Sequence, residues 1–577
     1  MAAPSFPTPF TNPSTNPSTP RSTPPSSPDA APVRLQRDAH GGWGLPVDLH
    51  DAAHAAALER TLAAERAPHA LMQTAGLAVA RLARALAPHA RRVIVLAGPG
   101  NNGGDGFEAA ARLRADWPEV ALELVWLGND ATQPPDARAS RRRAEAAGVA
   151  IRALIHPAPA SDAVWTSLCN ILAQADTDTL VIDALLGRGL NRPADGAMAR
   201  LIDAVRAGRS RVLAVDLPSG LNGDTGFWPE AKDAPIIRAD ATLALLSPAP
   251  GLFTGEGRDW AGDGWWHDLG TGLSSALPAI PAQARLERGK ALAGLLRPRP
   301  HRQHKGSVGD LWVVGGDRAM QGAAWLAARA ALETGAGRVH VDLLDATGPG
   351  LDAGQPELMV GRRAGADELA TATVVAGCGG GRGIAERMPE LLTAAARLVL
   401  DADALNAVAR DAILQDLLRA RAGTGRASVL TPHPLEAARL LGVDLGEVQA
   451  DRLAAARALS ARYGCTVLLK GSGSIVCGPS PQALPSINAS GNAALATPGS
   501  GDVLAGVIGA FWSRAAADAR IDPDPGDDTA TLATRAAVDL HGRVAQSLSP
   551  CGAALPASRL AGAMGDWLRR QTPPRPV

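Results

Sequence analysis

The sequence predicts an α/β protein of two domains, each built around a largely parallel sheet. Three observations carry this expectation. The chain has 577 residues, too many for one ordinary core. Short apolar runs that read as buried strands alternate with helical segments, the pattern of a doubly wound sheet. The alternation occurs as two series, separated by an Ala-, Pro- and Gly-rich stretch from Gly270 to Pro300. No period links the two series, so the chain reads as a fusion rather than an internal repeat.

Residues 1–45 are expected to be a disordered tail. From Pro4 to Pro32 the chain is mostly Pro, Ser, Thr and Asn, with too little apolar surface to offset the entropy of ordering. The first domain, at 46–272, is expected to be a Rossmann-like doubly wound sheet. Leu71, Ala75, Val79, Leu82 and Leu86 stand at helical spacing before the strand-like run 91–98, which opens into a Gly/Asn loop and a helix. Further strands are predicted at 120–128, 178–186, 209–220 and 241–247. A linker is placed at 273–290 and the second domain at 291–572, with strands at 310–316, 337–344, 371–381, 396–403, 427–433 and 465–471 and helices between them.

Composition narrows the function. Lys plus Arg and Asp plus Glu are 57 each, so no field of one sign steers the chain to nucleic acid or an anionic membrane. Aromatics are 3%, with Tyr463 the single tyrosine, which argues against base stacking. The cysteines (169, 378, 465, 477 and 551) are scattered without a C-x-x-C pair, unlike a disulfide framework or a zinc site. No apolar run of membrane-spanning length and no secretory signal are visible. A cytoplasmic address is expected, with small molecules rather than nucleic acid or membrane as partners.

Three motifs in the first half carry chemistry. Gly98–Gly106 (GPGNNGGDG) is a glycine-rich turn between strand and helix, where backbone N–H groups can approach a phosphate. Its spacing is not that of the dinucleotide fingerprint, and Asn101, Asn102 and Asp105 add oxygens suited to a cation or a sugar hydroxyl. Asp183, in DALLGRG, and Asp216, in VDLPSG, each end an apolar strand, at the edge where open α/β sheets bind ligands. The plainer reading, that both aspartates cap turns, is weakened by their sharing that edge with the Gly/Asn loop.

On these motifs, residues 49–272 resemble the NAD(P)H-hydrate epimerase family. The resemblance implies that Asn101, Asn102, Gly103, Gly104 and Asp105, with Gly187, Arg188, Gly189, Leu190, Asn191, Arg192 and Pro193, contact the hydrated cofactor. It implies that Asp216 is the acid/base and that Asn102, Asp183 and Ser219 bind K⁺. Arg188 departs from the family, standing where a small hydroxyl residue is common, and Gln73 replaces a glutamate.

The second half has more polar strand ends: Gly315–Asp317, Thr431–Pro434 and Lys470–Ser474. Its sharpest signal is Gly499–Asp502, opening an apolar helix. Free N–H donors there suit a phosphoryl group, and Asp502 can take a proton from an attacking hydroxyl, although an acid in a first helical turn is also ordinary capping. His433, between prolines at a strand end, reads as a substrate contact or as a histidine hydrogen-bonded in place.

Residues 285–572 are similar to the NAD(P)H-hydrate dehydratase family, which shares the ribokinase-like α/β fold. The resemblance rests on Gly315–Asp317 with Gly322–Ala324, Gly377–Gly381, Asp401–Asn406, Thr431–Glu436, Lys470-Gly471 and Gly499–Gly506. It implies that Lys470, Gly471, Ser472, Gly473, Ser474 and Gly501 bind AMP or ADP, and that Ala323, Gly379, His433 and Asp502 touch the hydrate. It implies ADP as phosphoryl donor, Mg²⁺ with it, and a homo-oligomer. Departures are Asp317, Cys378, Gly380, Leu435 and Ser500. Together the two resemblances imply metabolite repair: one half epimerises R and S hydrates of NADH or NADPH, and the other dehydrates the S form, giving AMP and phosphate. Two alternatives stand beside this reading: a small-molecule kinase in the second half, and a first half that only binds.

Overall fold

The computed structural model describes residues 31–35, 47–155, 159–231, 233–271, 280–345, 347 and 350–571. The expected tail lies outside these residues apart from 31–35, where Val33–Arg34 pairs antiparallel with Asp263–His267.

Among the described residues the first sheet has eight strands and the second eleven. From one edge the eight run Val33–Arg34, Asp263–His267, Ala241–Leu245, Arg211–Val215, Thr179–Ala184, Arg92–Ala97, Ala121–Trp126 and Ala150–Ala153. All neighbours beyond the first pair are parallel. Arg92–Ala97 and Thr179–Ala184 are almost wholly buried because helices cover both faces, which is why they read as continuous apolar runs. One face packs against the helices Ala70–Leu86 and Asn101–Asp116 through Val79, Phe107 and Leu113. The other packs against Asp162–Ala173 and Gly196–Ala207 through Leu168, Leu201 and Ile202. From Arg92–Ala97 the chain winds one way to Ala150–Ala153, then restarts on the other side at Thr179–Ala184. The ligand crevice of such a sheet opens at that reversal.

The second sheet has eleven strands, in the order Met359–Val360, Arg338–Leu343, Asp310–Gly315, Thr373–Ala376, Arg397–Leu400, Ser428–Leu430, Thr466–Leu469, Ile475–Cys477, Ser486–Asn488, Ala284–Glu287 and Val47–Leu49. It is parallel from the first edge to Thr466–Leu469, and its reversal lies between Asp310–Gly315 and Thr373–Ala376. The helix Ser500–Ala517 is buried along most of its length against the helix Gln321–Glu333.

Two strands of this sheet come from places the sequence does not flag. Ala284–Glu287 falls in the stretch read as linker, and Val47–Leu49 in the stretch assigned to the first domain, yet they pair antiparallel with each other at the far edge. The first domain leans on the second through the loop after Ala241–Leu245. Leu252 and Phe253 share one apolar cluster with Leu469, Ile475 and Ile487. At Gly473 (φ 62°) an added Cβ would stand 1.8 Å from the Phe253 carbonyl oxygen, so the backbones meet there. Arg452 ties the seam, donating from Nε to Thr254 Oγ1 (3.1 Å) and from Nη2 to the Lys470 carbonyl (3.1 Å).

Two candidate active sites

The Gly98 turn sits at the first sheet's reversal. Gly98 N donates to the Ala184 carbonyl (2.9 Å), and a Cβ on Gly98 would lie 1.7 Å from the Leu185 carbonyl oxygen. A side chain there forces the two strand ends apart. Gly98→Ala is therefore expected to lower the unfolding free energy by ~2–4 kcal/mol. Gly100→Ala, where an added Cβ meets open space, is expected to cost under ~1 kcal/mol. Chemical denaturation of the two variants checks the contrast.

Beyond this turn lies a cavity of about 710 Å³, lined among others by Glu59, Asn101, Asn102, Asp105, Gly187, Arg188, Gly189, Leu190 and Asp216. Asp216 ends its strand in the left-handed region (φ 64°), which turns its carboxylate off the strand direction. Arg188 clamps it: Nε lies 3.3 and 3.2 Å from the two carboxylate oxygens and Nη2 3.2 Å from Oδ1, while Nη1 donates to the His50 carbonyl (3.4 Å). The departure at 188 therefore places a cation on the candidate acid/base. Burial, then the charges of Glu59 and Asp216, push the Asp105 carboxyl well above the carboxylate range. Glu59 is also raised, by desolvation and by Asp216.

Behind the wall, Asp183 is fully buried and pushed up to about 6 by that burial, against the pull of its hydrogen bonds. It accepts from Ser219 Oγ (2.5 Å), Ser219 N (2.8 Å) and Leu185 N (3.2 Å). Asn102 has both side-chain polar atoms buried without a hydrogen-bond partner. An orphaned amide oxygen, a buried carboxylate and a hydroxyl are donors of the kind that suit an alkali cation.

The other residues implied for this site divide. Gly103 and Gly104 face protein: a Cβ would stand 2.1 Å from the Gly98 carbonyl oxygen at the first and 2.6 Å from Met72 Sδ at the second. Asn191, Arg192 and Pro193 are not part of the cavity wall, and exposed Arg192 pairs with Asp195 at 3.2 Å.

In the second domain, strand ends gather a charged cluster at the carboxyl edge. Lys470 Nζ donates to Asp401 Oδ1 (2.7 Å), which also accepts from Thr431 Oγ1 (2.7 Å). Burial opposes the Lys470 charge, but Asp401 and Glu436 hold its pKa above the usual value. One ligand atom each from Cys378, Asp401 and Asp502 lie within 4.8 Å of one another. Burial, then the Asp401 charge, push the Asp502 carboxyl up to about 6, and Glu436 reaches about 7, chiefly by burial. Asp502 lies in the first turn of Ser500–Ala517, which Gly499 caps at φ 87°.

His433 is hydrogen-bonded in place, the plainer of its two readings. Nδ1 accepts from Leu435 N and Glu436 N (3.2 Å each), capping the helix Pro434–Leu441, while Nε2 faces Glu436 Oε1 at 3.3 Å beside the acid cluster. Leu435 turns outward, 41% exposed, so its bulk stays clear of the cluster. Gly379 (φ 59°) follows Cys378, with a Cβ position 2.9 Å from Ala323 Cβ.

Next to the cluster lies a cavity of about 490 Å³. Its wall includes Lys470, Gly471, Ser472, Ser474, Gly501, His541 and, from the first domain, Arg258 and Asp259. Gly473 is turned away against Phe253. Gly501 stands at the junction, its Cβ position 3.3 Å from Lys470 Nζ and 3.7 Å from Asp401 Oδ2.

The cavity walls and the charged cluster also bring in Glu59, Arg258, Asp401 and His541, which stand outside the residues expected from sequence. Asp401 was within reach, as an acid ending an apolar strand. The others occupy ordinary helix or loop positions and carry no local signal.

Comparison with known proteins matches both halves. Residues 311–561 match the family model described as NAD(P)H-hydrate dehydratase, and residues 68–251 the one described as YjeF-related protein N-terminus. The chain is 37% identical over 454 residues to the bifunctional NAD(P)H-hydrate repair enzyme Nnr of Escherichia coli (strain K12), covering 77% of this chain and 80% of that protein. It is 34% identical over 452 residues to the protein of the same name from Coxiella burnetii (strain RSA 493 / Nine Mile phase I), covering 77% and 85%. A ribokinase-like superfamily protein of Enterococcus faecalis V583 superposes with a TM-score of 0.40 at 22% identity, covering 49% of this chain and 95% of that one.

Proposed function

Because this chain belongs to the family of bifunctional NAD(P)H-hydrate repair enzymes, we propose that its first cavity epimerises hydrated NADH and NADPH and its second site dehydrates the S epimer with ADP. The observation that carries the reading is the pairing of a desolvated acid, Asp502, with a cavity of nucleotide size behind Gly501.

Dehydration needs a better leaving group than hydroxide. Asp502 takes the proton from the ring hydroxyl, whose oxygen attacks the terminal phosphorus of ADP and releases AMP. Backbone N–H groups at Gly499–Gly501, on the helix N-terminus, face the transferring phosphoryl charge. The ring nitrogen's lone pair then expels phosphate as the adjacent carbon loses its proton, and the reduced cofactor is restored. Asp401 keeps Lys470 charged at the boundary of the two subsites. Asp401 is the carboxylate that would help hold Mg²⁺, which when bound would neutralise phosphate charge. In the first cavity Asp216 moves the proton at the epimerising centre, steadied by Arg188. Asn102, Asp183 and Ser219 would hold K⁺, which would stabilise negative charge nearby.

The five cysteines are free thiols, in keeping with the cytoplasmic address proposed for the enzyme.

The test mixes purified protein, both epimers and ADP or ATP, and follows the returning absorbance of NADH. Full recovery of both epimers with ADP is expected. A stable phosphoester without returning NADH would favour a kinase instead. Exchanging K⁺ for N-methylglucamine is expected to slow recovery of the R epimer at least about tenfold and to leave the S epimer's rate unchanged.

A further inference from the structure

The wall of the 490 Å³ cavity is short of free positive charge on the second domain's own side. Lys470 is paired with Asp401 at 2.7 Å. His541 is buried and held at about 4 by that burial, so it is neutral near pH 7, and its Nε2 has no hydrogen-bond partner. Among the described residues, the remaining cation on the wall is Arg258, which belongs to the first domain.

Arg258 reaches across the seam and donates from Nη2 to the Gly491 carbonyl (2.7 Å) and from Nη1 to the Ser490 carbonyl (3.4 Å). Both acceptors are neutral and both residues line the cavity. Among the described residues no carboxylate comes within ion-pair distance of Arg258; Asp259, its neighbour in the chain, is exposed. Burial pulls the guanidinium below its usual pKa, against a weaker opposing pull from the Asp259 charge. A cavity with a half-buried cation, a neutral imidazole with a vacant nitrogen and a glycine-serine loop suits a ligand carrying an anion next to a polar heterocycle or sugar. The docking of the Arg258 loop is fixed independently, by Phe253 against Gly473 and Thr254 against Arg452.

We infer that the first domain completes the nucleotide site of the second, with Arg258 as a binding residue that supplies a cation for the ADP phosphates and holds the Ser490-Gly491 loop. This rests on reading that cavity as the ADP site. It makes the two activities one structural unit: the dehydratase half binds its nucleotide fully only with the epimerase half docked.

The test uses the full chain. For Arg258→Ala, the KM for ADP in S-hydrate dehydration is expected to rise about tenfold or more, with kcat within about twofold of wild type. Epimerisation is expected to stay at the wild-type rate. Arg258→Lys keeps the charge but cannot serve both carbonyls, so its KM is expected to rise about threefold. Should the alanine variant not fold, the lysine variant is read alone. An ADP-dependent wild type whose variants match its KM within twofold overturns the role of Arg258, as does a fall in kcat with KM unmoved. A wild type indifferent to ADP overturns the nucleotide reading itself.

Discussion

Asp502→Asn is expected to cut the dehydratase kcat by about 10³-fold while leaving epimerisation intact. The carboxylate sits in the first turn of a buried helix, close to Asp401 and Cys378, and burial raises it to about 6. A base raised to that value is still ionised near pH 7 and holds a proton more tightly than an ordinary aspartate. Below pH 6 it is protonated and cannot accept the substrate's proton. Wild-type kcat is therefore expected to fall as pH drops through about 6, approaching tenfold per unit, and the residual rate of the Asn variant to lose this limb. The same burial makes the ionised form unfavourable for folding. The stability cost appears as pH rises from the unfolded value near 4 through the folded value near 6, so at pH 7 the Asn variant is expected to melt no lower than wild type. Stopped-flow recovery of NADH from the S hydrate, from pH 5 to 8, reads the kinetics, and calorimetry reads the melting. An Asn variant within tenfold of wild-type kcat would remove Asp502 from the role of base.

Asp216→Asn is expected to stall repair halfway. The S epimer should be consumed at the normal rate with ADP, while the R epimer persists and converts at the uncatalysed rate, a loss of about 10²–10⁴-fold in epimerisation. Asparagine is the informative replacement because it tolerates the left-handed backbone at this position (φ 64°), so the strand end keeps its shape. The neutral amide also leaves Arg188 without its anion. Both side chains are largely covered, at 10% and 16% exposure, so a drop of a few degrees in melting temperature should accompany the kinetic loss. Chromatography of the two epimers over time separates this outcome from a general loss of activity. Equal consumption of both epimers by the variant would assign the proton transfer to another group, and Glu59 or Asp105 on the same wall would be next to test.

What the sequence discloses and what it conceals follow from the physics of each element. The parallel strands are legible because helices cover both faces, so runs such as 91–98 and 178–186 are apolar throughout. Short strands such as Val47–Leu49, Ile475–Cys477 and Ser486–Asn488 are not, because three residues carry no period. Acids and glycines at strand ends reveal the sites, since topology alone delivers Asp183, Asp216 and Asp401 to the ligand edge. The meaning of each glycine stays hidden. Gly98, Gly103 and Gly473 look alike in a motif, yet each is demanded by a different backbone oxygen pressing where a side chain would be. Arg258 was invisible because its partners lie more than 200 residues away, at Ser490 and Gly491.

The antiparallel pair of Val47–Leu49 with Ala284–Glu287 also sets a timetable. The ribosome releases the earlier strand about 240 residues before its partner exists, a wait of roughly 10–50 s at ordinary elongation rates. During that interval the nascent first half carries an orphan hydrogen-bonding edge, and its pairing waits for the start of the second half to emerge.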